Sequence, residues 1–239
     1  MIQTLRQKLR AILPPDLVRR IGWIRRDLFG WHERHWSQFG EDVLLGVLQE
    51  SQPRGFFVDV GAHHPCRLSN TYLLYRRGWT GINIDPRPGV KRAFSRVRPR
   101  DLTIEIGISA KPATLTYYLF NEPACNTFSE AVARERDGKN GQRITGKLQI
   151  PTEPLSTLLD RLAPGRAIDF LSVDVEGMDL EVLKTLDFPR QAPRLLAIEI
   201  HGLDVQDLRA SPSAAWLLDR GYRMEAWLGP TVFWRKTSP

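Results

Sequence analysis

From about residue 37 onward, short apolar runs alternate with stretches of helical period, and this alternation restricts the fold more than any other feature of the chain. The spacing predicts strands over residues 56–61, 81–85, 102–108, 115–120, 168–175, 195–200, 223–228 and 231–235. Helices are expected over residues 41–50, 71–77, 90–97, 155–162, 180–186 and 214–220. Strands that alternate with helices form a mainly parallel sheet covered on both faces, an α/β architecture. The last two strands are split only by Gly229-Pro230, so they read as an antiparallel hairpin at the sheet edge. Residues 121–150 break the rhythm: they are polar, rich in Gly, Arg and Glu, and read as a lid-like insert. With 239 residues and 42% hydrophobic content, the chain can bury a core without disulfides or a structural metal.

The net charge of +7 is concentrated at one end. Residues 1–36 hold eight basic and three acidic side chains, so +5 of the total sits there. Ile2, Leu5, Leu9 and Ile12, then Leu17, Ile21, Ile24 and Leu28, recur at helical spacing on either side of Pro14-Pro15. Two readings fit this segment: a peripheral membrane contact, with arginines on anionic headgroups, or a helix that packs on the domain with a solvated basic face. A nucleic-acid partner is not expected, because the body carries no matching basic surface. The domain division expected is therefore 1–36, a basic amphipathic appendage, and 37–239. No apolar run approaches the roughly 18–20 residues of a membrane span, and no signal peptide is evident. Cys66 and Cys125 stand 59 positions apart with no CxxC pairing, which points to a reducing, cytoplasmic setting, with contact at the inner membrane surface if the appendage docks there.

In sheets of this kind ligands bind at the carboxyl ends of the strands, near the point where strand order reverses. Phe56-Phe57-Val58-Asp59-Val60 runs into Gly61-Ala62-His63-His64-Pro65, a turn tight enough to need glycine. The next strand ends at Asp85, 24 residues after Gly61, where a carboxylate can accept hydrogen bonds from both hydroxyls of a ribose. A dinucleotide fingerprint requires GxGxxG, and neither later glycine is present, so a nicotinamide-dependent oxidoreductase is disfavoured. S-adenosylmethionine has a ribose but no phosphate and suits the turn better, with Asp59 placed to orient its ammonium. A purely structural Gly-Ala turn would look the same.

Several further words occur in order: Ser37-Gln38-Phe39-Gly40-Glu41-Asp42, Val58 to Pro65, Ser69-Asn70-Thr71, Gly78 to Asp85, Asn126-Thr127-Phe128-Ser129, Asp169 to Gly177, and Ile198-Glu199. Together they resemble the FkbM family of S-adenosylmethionine-dependent methyltransferases over residues 37–236. The resemblance implies a Rossmann-like class I methyltransferase fold: a seven-stranded, mostly parallel sheet with an antiparallel C-terminal strand and helices on both faces. It also implies O-methylation of a small-molecule or glycan hydroxyl, on a sugar, a lipid-linked sugar or a related metabolite.

On this reading Asp174, Glu176 and His201, at the ends of two strands, are the candidates for alignment and for taking up the acceptor's proton. The alternative for this turn is that Glu176 or Asp179 caps the following helix. Asp59, Gly61, Ala62, His63, Ser69, Asn70 and Asp85 are the candidate cofactor residues. His64, Asn126, Thr127 and Glu199 are the candidate acceptor contacts. His63 and His64 are equally readable as turn-stabilising, and Ser69 or Asn70 as a helix N-cap. Gln38 and Asp42 could close over the cofactor. A divalent cation could be held by oxygen and imidazole ligands from these strand ends, though no spacing demands it. A different class of function, a non-catalytic adaptor on the same fold docking through its basic segment, is opposed by the presence of Gly61, Asp85, Asp174 and Glu176 together.

Overall fold

The computed structural model describes residues 35–49 and 51–237. The basic segment 1–36, with its membrane-surface and packing alternatives, lies outside the described residues except for His35 and Trp36.

The elements follow the expected order: α1 (Glu41–Leu48), β1 (Phe56–Val60), α2 (Tyr72–Arg76), β2 (Thr80–Ile84), α3 (Val90–Val97), β3 (Leu102–Ile104), β4 (Gly107–Ile108) and β5 (Ala113–Phe120). After these come α4 (Glu130–Arg136), β6 (Ile144–Glu153), α5 (Leu155–Leu162), β7 (Phe170–Val173), α6 (Asp179–Lys184), α7 (Phe188–Gln191), β8 (Leu195–Glu199), α8 (Pro212–Leu218), β9 (Tyr222–Leu228) and β10 (Thr231–Lys236). Seven strands form one sheet in the order β3-β2-β1-β7-β8-β10-β9. The pairs from β3 to β8 are parallel, and β10 runs antiparallel to both of its neighbours. The expected class I arrangement is therefore present, with the order reversing between β1 and β7.

Burial follows from position in the sheet. β1 is inaccessible along its whole length, as a central parallel strand must be. Val58 and Val60 join Leu171, Val173, Leu196 and Ile198 on one face, under Leu155, Leu158 and Leu159 of α5 and Val182 and Leu183 of α6. Phe57, Phe170, Leu195, Ala197 and Phe233 form the opposite face with Leu45 of α1, Leu74 of α2 and Trp79. On α3, Val90 and Phe94 lie one turn apart and bury together against Ala62, while Lys91, Arg92 and Arg96 stay on the other side.

One expectation changes. The run 102–108 is not one strand: it breaks at Glu105-Ile106, so that β3 pairs with β2 while β4 leaves for a second sheet of order β4-β6-β5. Close packing directs the exit, because a Cβ on Gly107 would sit 2.5 Å from the Phe128 ring. Residues 121–150 are also structured. They hold a 3-10 turn (Pro123–Cys125), helix α4 and the first part of β6, which pairs antiparallel with β5.

Beneath the turn after β1 lies a buried polar cluster. Arg98 is fully buried; its Nε donates to Asp101 Oδ2 at 2.7 Å, and both side chains are shut off from solvent. The same guanidinium donates to Thr71 Oγ1 (3.0 Å), Ser69 Oγ and the Pro65 carbonyl, and lies beside the rings of Phe57, Phe94 and Tyr75. It thus ties the 65–71 part of the loop to Asp101 and the rings around it. Removing one partner of a buried pair strands the other charge. Arg98→Met is expected to cost about 3 kcal/mol of unfolding free energy by urea titration; a loss below about 1 kcal/mol would show that the cluster is not an anchor.

Candidate active site

Two clefts meet at the switch point between β1 and β7. The first, about 560 Å³ including its open mouth, is walled largely by apolar groups: Ile84, Ile106, Ile108, Phe128, Met178 and Val182, with Tyr117 and Asp85 among the polar ones. The second, about 550 Å³, is polar and acidic, and includes Glu41, Asn70, Glu176, Glu199 and Thr231. Gly61, His63, Ala124 and Asp174 line both.

Gly61 makes this junction feasible. Its backbone is left-handed (φ +86°), and a Cβ there would lie 1.7 Å from the Asp174 carbonyl oxygen. The ends of β1 and β7 therefore touch through bare backbone. Gly61 and Ala62 both donate their N–H to the Ile84 carbonyl, which fixes the turn against β2.

Asp85 follows the end of β2 and is buried. Its two oxygens accept the main-chain N–H groups of His63 and Arg87, each at 2.8 Å. Burial raises its pKa, and the hydrogen bond and charge of Arg87 oppose the rise. His63 has a left-handed backbone and faces both clefts. Burial first, and then Arg87 and Arg67, lower its pKa to about 4, so its ring is neutral at physiological pH.

The β7–α6 turn carries the other half of the site. Asp174 opens to the clefts. It is nonetheless ringed by enough protein that desolvation raises its pKa well above the usual carboxylate range, with Glu199 and Glu176 adding like-charge repulsion. Glu176 adopts a left-handed backbone (φ +58°) and pairs with Arg136 of α4 at 2.5 Å. Its pKa is raised by burial and by Glu199, with Arg136 pulling the other way. Asp179 closes the turn by accepting the N–H groups of Val175 and Gly177, and burial raises it to about 7. Neither Glu176 nor Asp179 caps α6: the residue at its N-cap is Met178, which makes no side-chain cap, and Asp179 holds the preceding turn instead.

Gly61, His63, Asn70, Asp85, Asn126, Asp174, Glu176 and Glu199 are thus brought to the two clefts. The other candidates lie elsewhere. Asp59 alternates away from Val58 and Val60, and its buried carboxylate accepts the Thr71 hydroxyl at 2.6 Å. Ala62 packs on Val90 and Phe94. Ser69 Oγ accepts the N–H of Tyr72. His64 Nδ1 accepts the N–H groups of Cys66 and Arg67, the turn-stabilising alternative. Thr127 is buried and donates to the Glu176 carbonyl at 2.9 Å. His201 is 66% exposed, 3.2 Å from Glu199, and lines neither cleft. Gln38 lines the second cleft, whereas Asp42 accepts the Ser37 hydroxyl and the Trp36 N–H. Both cysteines are free thiols.

Residues not anticipated include Glu41 and most of the apolar wall, Ile106, Ile108, Tyr117 and Met178, which Phe128 of the Asn126–Ser129 segment completes. The Tyr117 and Phe128 rings have centroids 4.7 Å apart once β5 and the insert meet. Among the described residues, no group of three or more His, Cys, Asp or Glu side chains is arranged to hold a metal ion, and no helix is long and apolar enough to cross a membrane.

The position of Asp59 makes its titration a matter of stability. Burial is the largest influence and raises its pKa from 3.8 to about 6, against the Thr71 hydrogen bond and the Arg98 charge. A carboxyl whose folded pKa exceeds its unfolded value stabilises the fold most below about pH 4, and that contribution is lost as pH rises through about 6. Asp59→Asn removes the titration. Relative to the unsubstituted protein, its unfolding free energy should rise by about 2–3 kcal/mol between pH 4 and pH 7. Urea unfolding at both pH values measures this, and a pH-independent difference contradicts it.

The family described as Methyltransferase FkbM domain matches residues 59–224. Among solved structures, the chain is similar to a methyltransferase from Geobacter sulfurreducens, at 16% identity and a TM-score of 0.43, covering 97% of this chain and 96% of that one. It is also similar to a TehB-like SAM-dependent methyltransferase from Corynebacterium glutamicum, at 13% identity and a TM-score of 0.41, covering 93% and 97%. No curated protein matches the chain.

Proposed function

The chain belongs to the FkbM methyltransferase domain family, and from that premise we propose that it transfers a methyl group from S-adenosylmethionine to a hydroxyl of a sugar, glycan, lipid-linked sugar or related metabolite. The observation that carries the reading is the junction at Gly61 and Asp174, where an apolar cleft with a buried carboxylate at the end of β2 opens into an acidic one.

The residues present fit this cofactor. The Gly61 turn brings the end of β1 directly against the Asp174 backbone, at the junction of the two clefts. Asp85 spends one lone pair of each oxygen on the main chain, which leaves acceptor capacity for two ribose hydroxyls. The slot between Ile106, Ile108, Phe128 and Met178 offers apolar walls to a planar base. Bound S-adenosylmethionine supplies an electrophilic methyl carried on a sulfonium.

The chain's own residues then have distinct tasks. Asp85 binds, while the neutral polar groups of Asn70 and Thr231 can orient an acceptor in the second cleft. Asp174 sits where the clefts meet, and burial with like-charge repulsion raises its proton affinity, which suits it to take up a hydroxyl proton. Glu176 is a weaker candidate for that step because Arg136 already holds it. His63, neutral and with its pKa at about 4, is a poor base and serves as a cleft wall.

Asp85→Asn tests the cofactor half. Asparagine keeps one acceptor oxygen and places an N–H₂ against one of the two main-chain N–H groups, so S-adenosylmethionine affinity should fall about tenfold, with a loss of about 1–3 kcal/mol in unfolding free energy from the stranded donor. Unchanged affinity in calorimetric titration would remove Asp85 from the site.

A further inference from the structure

We infer that the acidic cleft distinguishes S-adenosylmethionine from S-adenosylhomocysteine by charge, holding the cofactor while its sulfur is cationic and loosening it once the methyl has gone. This inference rests on the cofactor reading above.

Glu41, Asp174, Glu176 and Glu199 all line the second cleft, and no Lys or Arg does. The basic groups nearest to it have partners: Arg136 pairs with Glu176 and cancels that carboxylate's charge, Arg67 lies beside His63 and Glu122, and Arg87 donates to the His63 carbonyl. Among the described residues this leaves Glu41, Asp174 and Glu199 without a Lys or Arg partner. The remaining polar lining, Gln38, His63, Asn70 and Thr231, carries no charge, the His63 ring being neutral with its pKa lowered to about 4. The first cleft is different: its floor and walls are largely apolar, and it meets the second only through Gly61, His63, Ala124 and Asp174. A ligand whose adenosine fills the apolar cleft has the rest of its length in acidic surroundings.

In methyl transfer a bond forms between the acceptor oxygen and the methyl carbon as the carbon–sulfur bond breaks. The electron pair of the broken bond stays on sulfur, and the hydroxyl proton passes to a carboxylate of the cleft. The sulfonium becomes a neutral thioether, and one carboxylate is neutralised at the same time. Both changes remove attraction between cleft and cofactor. A single charge facing a net negative, half-solvated wall is worth about a tenfold difference in affinity.

Calorimetric titration of the full chain with S-adenosylmethionine, S-adenosylhomocysteine and sinefungin tests this. Sinefungin carries an ammonium group where the methyl-bearing sulfonium would be. Both cationic ligands should bind about tenfold more tightly than the thioether. Glu199→Gln and Glu41→Gln, which keep an acceptor oxygen and nearly the same shape, should each narrow that preference to about threefold while leaving thioether affinity within twofold. Thermal unfolding of both variants confirms that they are folded. Equal or tighter binding of the thioether, or an equal loss for all three ligands in the variants, overturns the inference while the cofactor reading stands. Binding of none of the three overturns the cofactor reading and the inference with it.

Discussion

Gly61→Ala is expected to abolish cofactor binding and to destabilise the fold. Two independent costs combine at this position. The left-handed backbone penalises any side chain by roughly 1 kcal/mol. The larger cost is steric: a Cβ at 1.7 Å from the Asp174 carbonyl cannot be relieved by a rotamer change, because the obstruction is backbone. The ends of β1 and β7 would have to separate, and with them the Gly61 and Ala62 hydrogen bonds to Ile84. A loss of about 4 kcal/mol in unfolding free energy and at least a hundredfold in S-adenosylmethionine affinity is expected. Urea unfolding and calorimetry measure the two quantities. A variant of ordinary stability and affinity would show that the two strands do not meet in this way.

Asp174→Asn separates binding from chemistry. Asparagine fills the same volume at the junction but cannot take a proton. The methyl-transfer rate should fall about 10²–10⁴-fold, the usual contribution of a positioned base, while cofactor affinity changes far less. Transfer of a labelled methyl to a panel of hydroxylated glycans supplies the measurement, because the acceptor that responds with the unsubstituted protein can then be used for the variant. The pH dependence adds a second criterion. A carboxylate whose pKa is raised by burial and by Glu199 should give a rate that climbs with pH until Asp174 is ionised, and Asp174→Asn should flatten that climb. An Asn variant with undiminished rate would move the base to another carboxylate of the second cleft, Glu199 or Glu176.

Much of the fold could be read from the sequence because periodicity is a local property. Phe56–Val60 is apolar apart from Asp59, which suits a strand buried on both faces, and Val90–Val97 and Leu155–Leu162 have the observed bounds because their apolar residues recur at helical spacing. β6 escaped notice for an equally physical reason. Gly146 and Pro151 punctuate it as turn residues would, yet Pro151 is tolerated because β4 pairs only with Thr152 and Glu153, which leaves the preceding length of β6 with an open edge.

The candidate site was legible where function demands an unusual backbone. Gly61 and Asp85 stood out by spacing, and both lie where the strand ends converge. Asp59 misled because position at a strand end does not fix direction: alternation turns it toward Thr71, away from the clefts. His201 shares the end of β8 with Glu199, but the chain leaves the strand there and carries the ring into solvent. Partners distant in sequence, such as Arg136 for Glu176 and Phe128 for Tyr117, have no local signature and emerge only when the insert folds over β7 and β5.

The most direct test of the central claim is calorimetric titration of the unsubstituted chain with S-adenosylmethionine and, separately, with NAD⁺. Saturable binding of S-adenosylmethionine at one site per chain, with no heat from NAD⁺, is the predicted result. Saturable binding of NAD⁺, or no binding of S-adenosylmethionine, would contradict the assignment of the Gly61–Asp85 cleft.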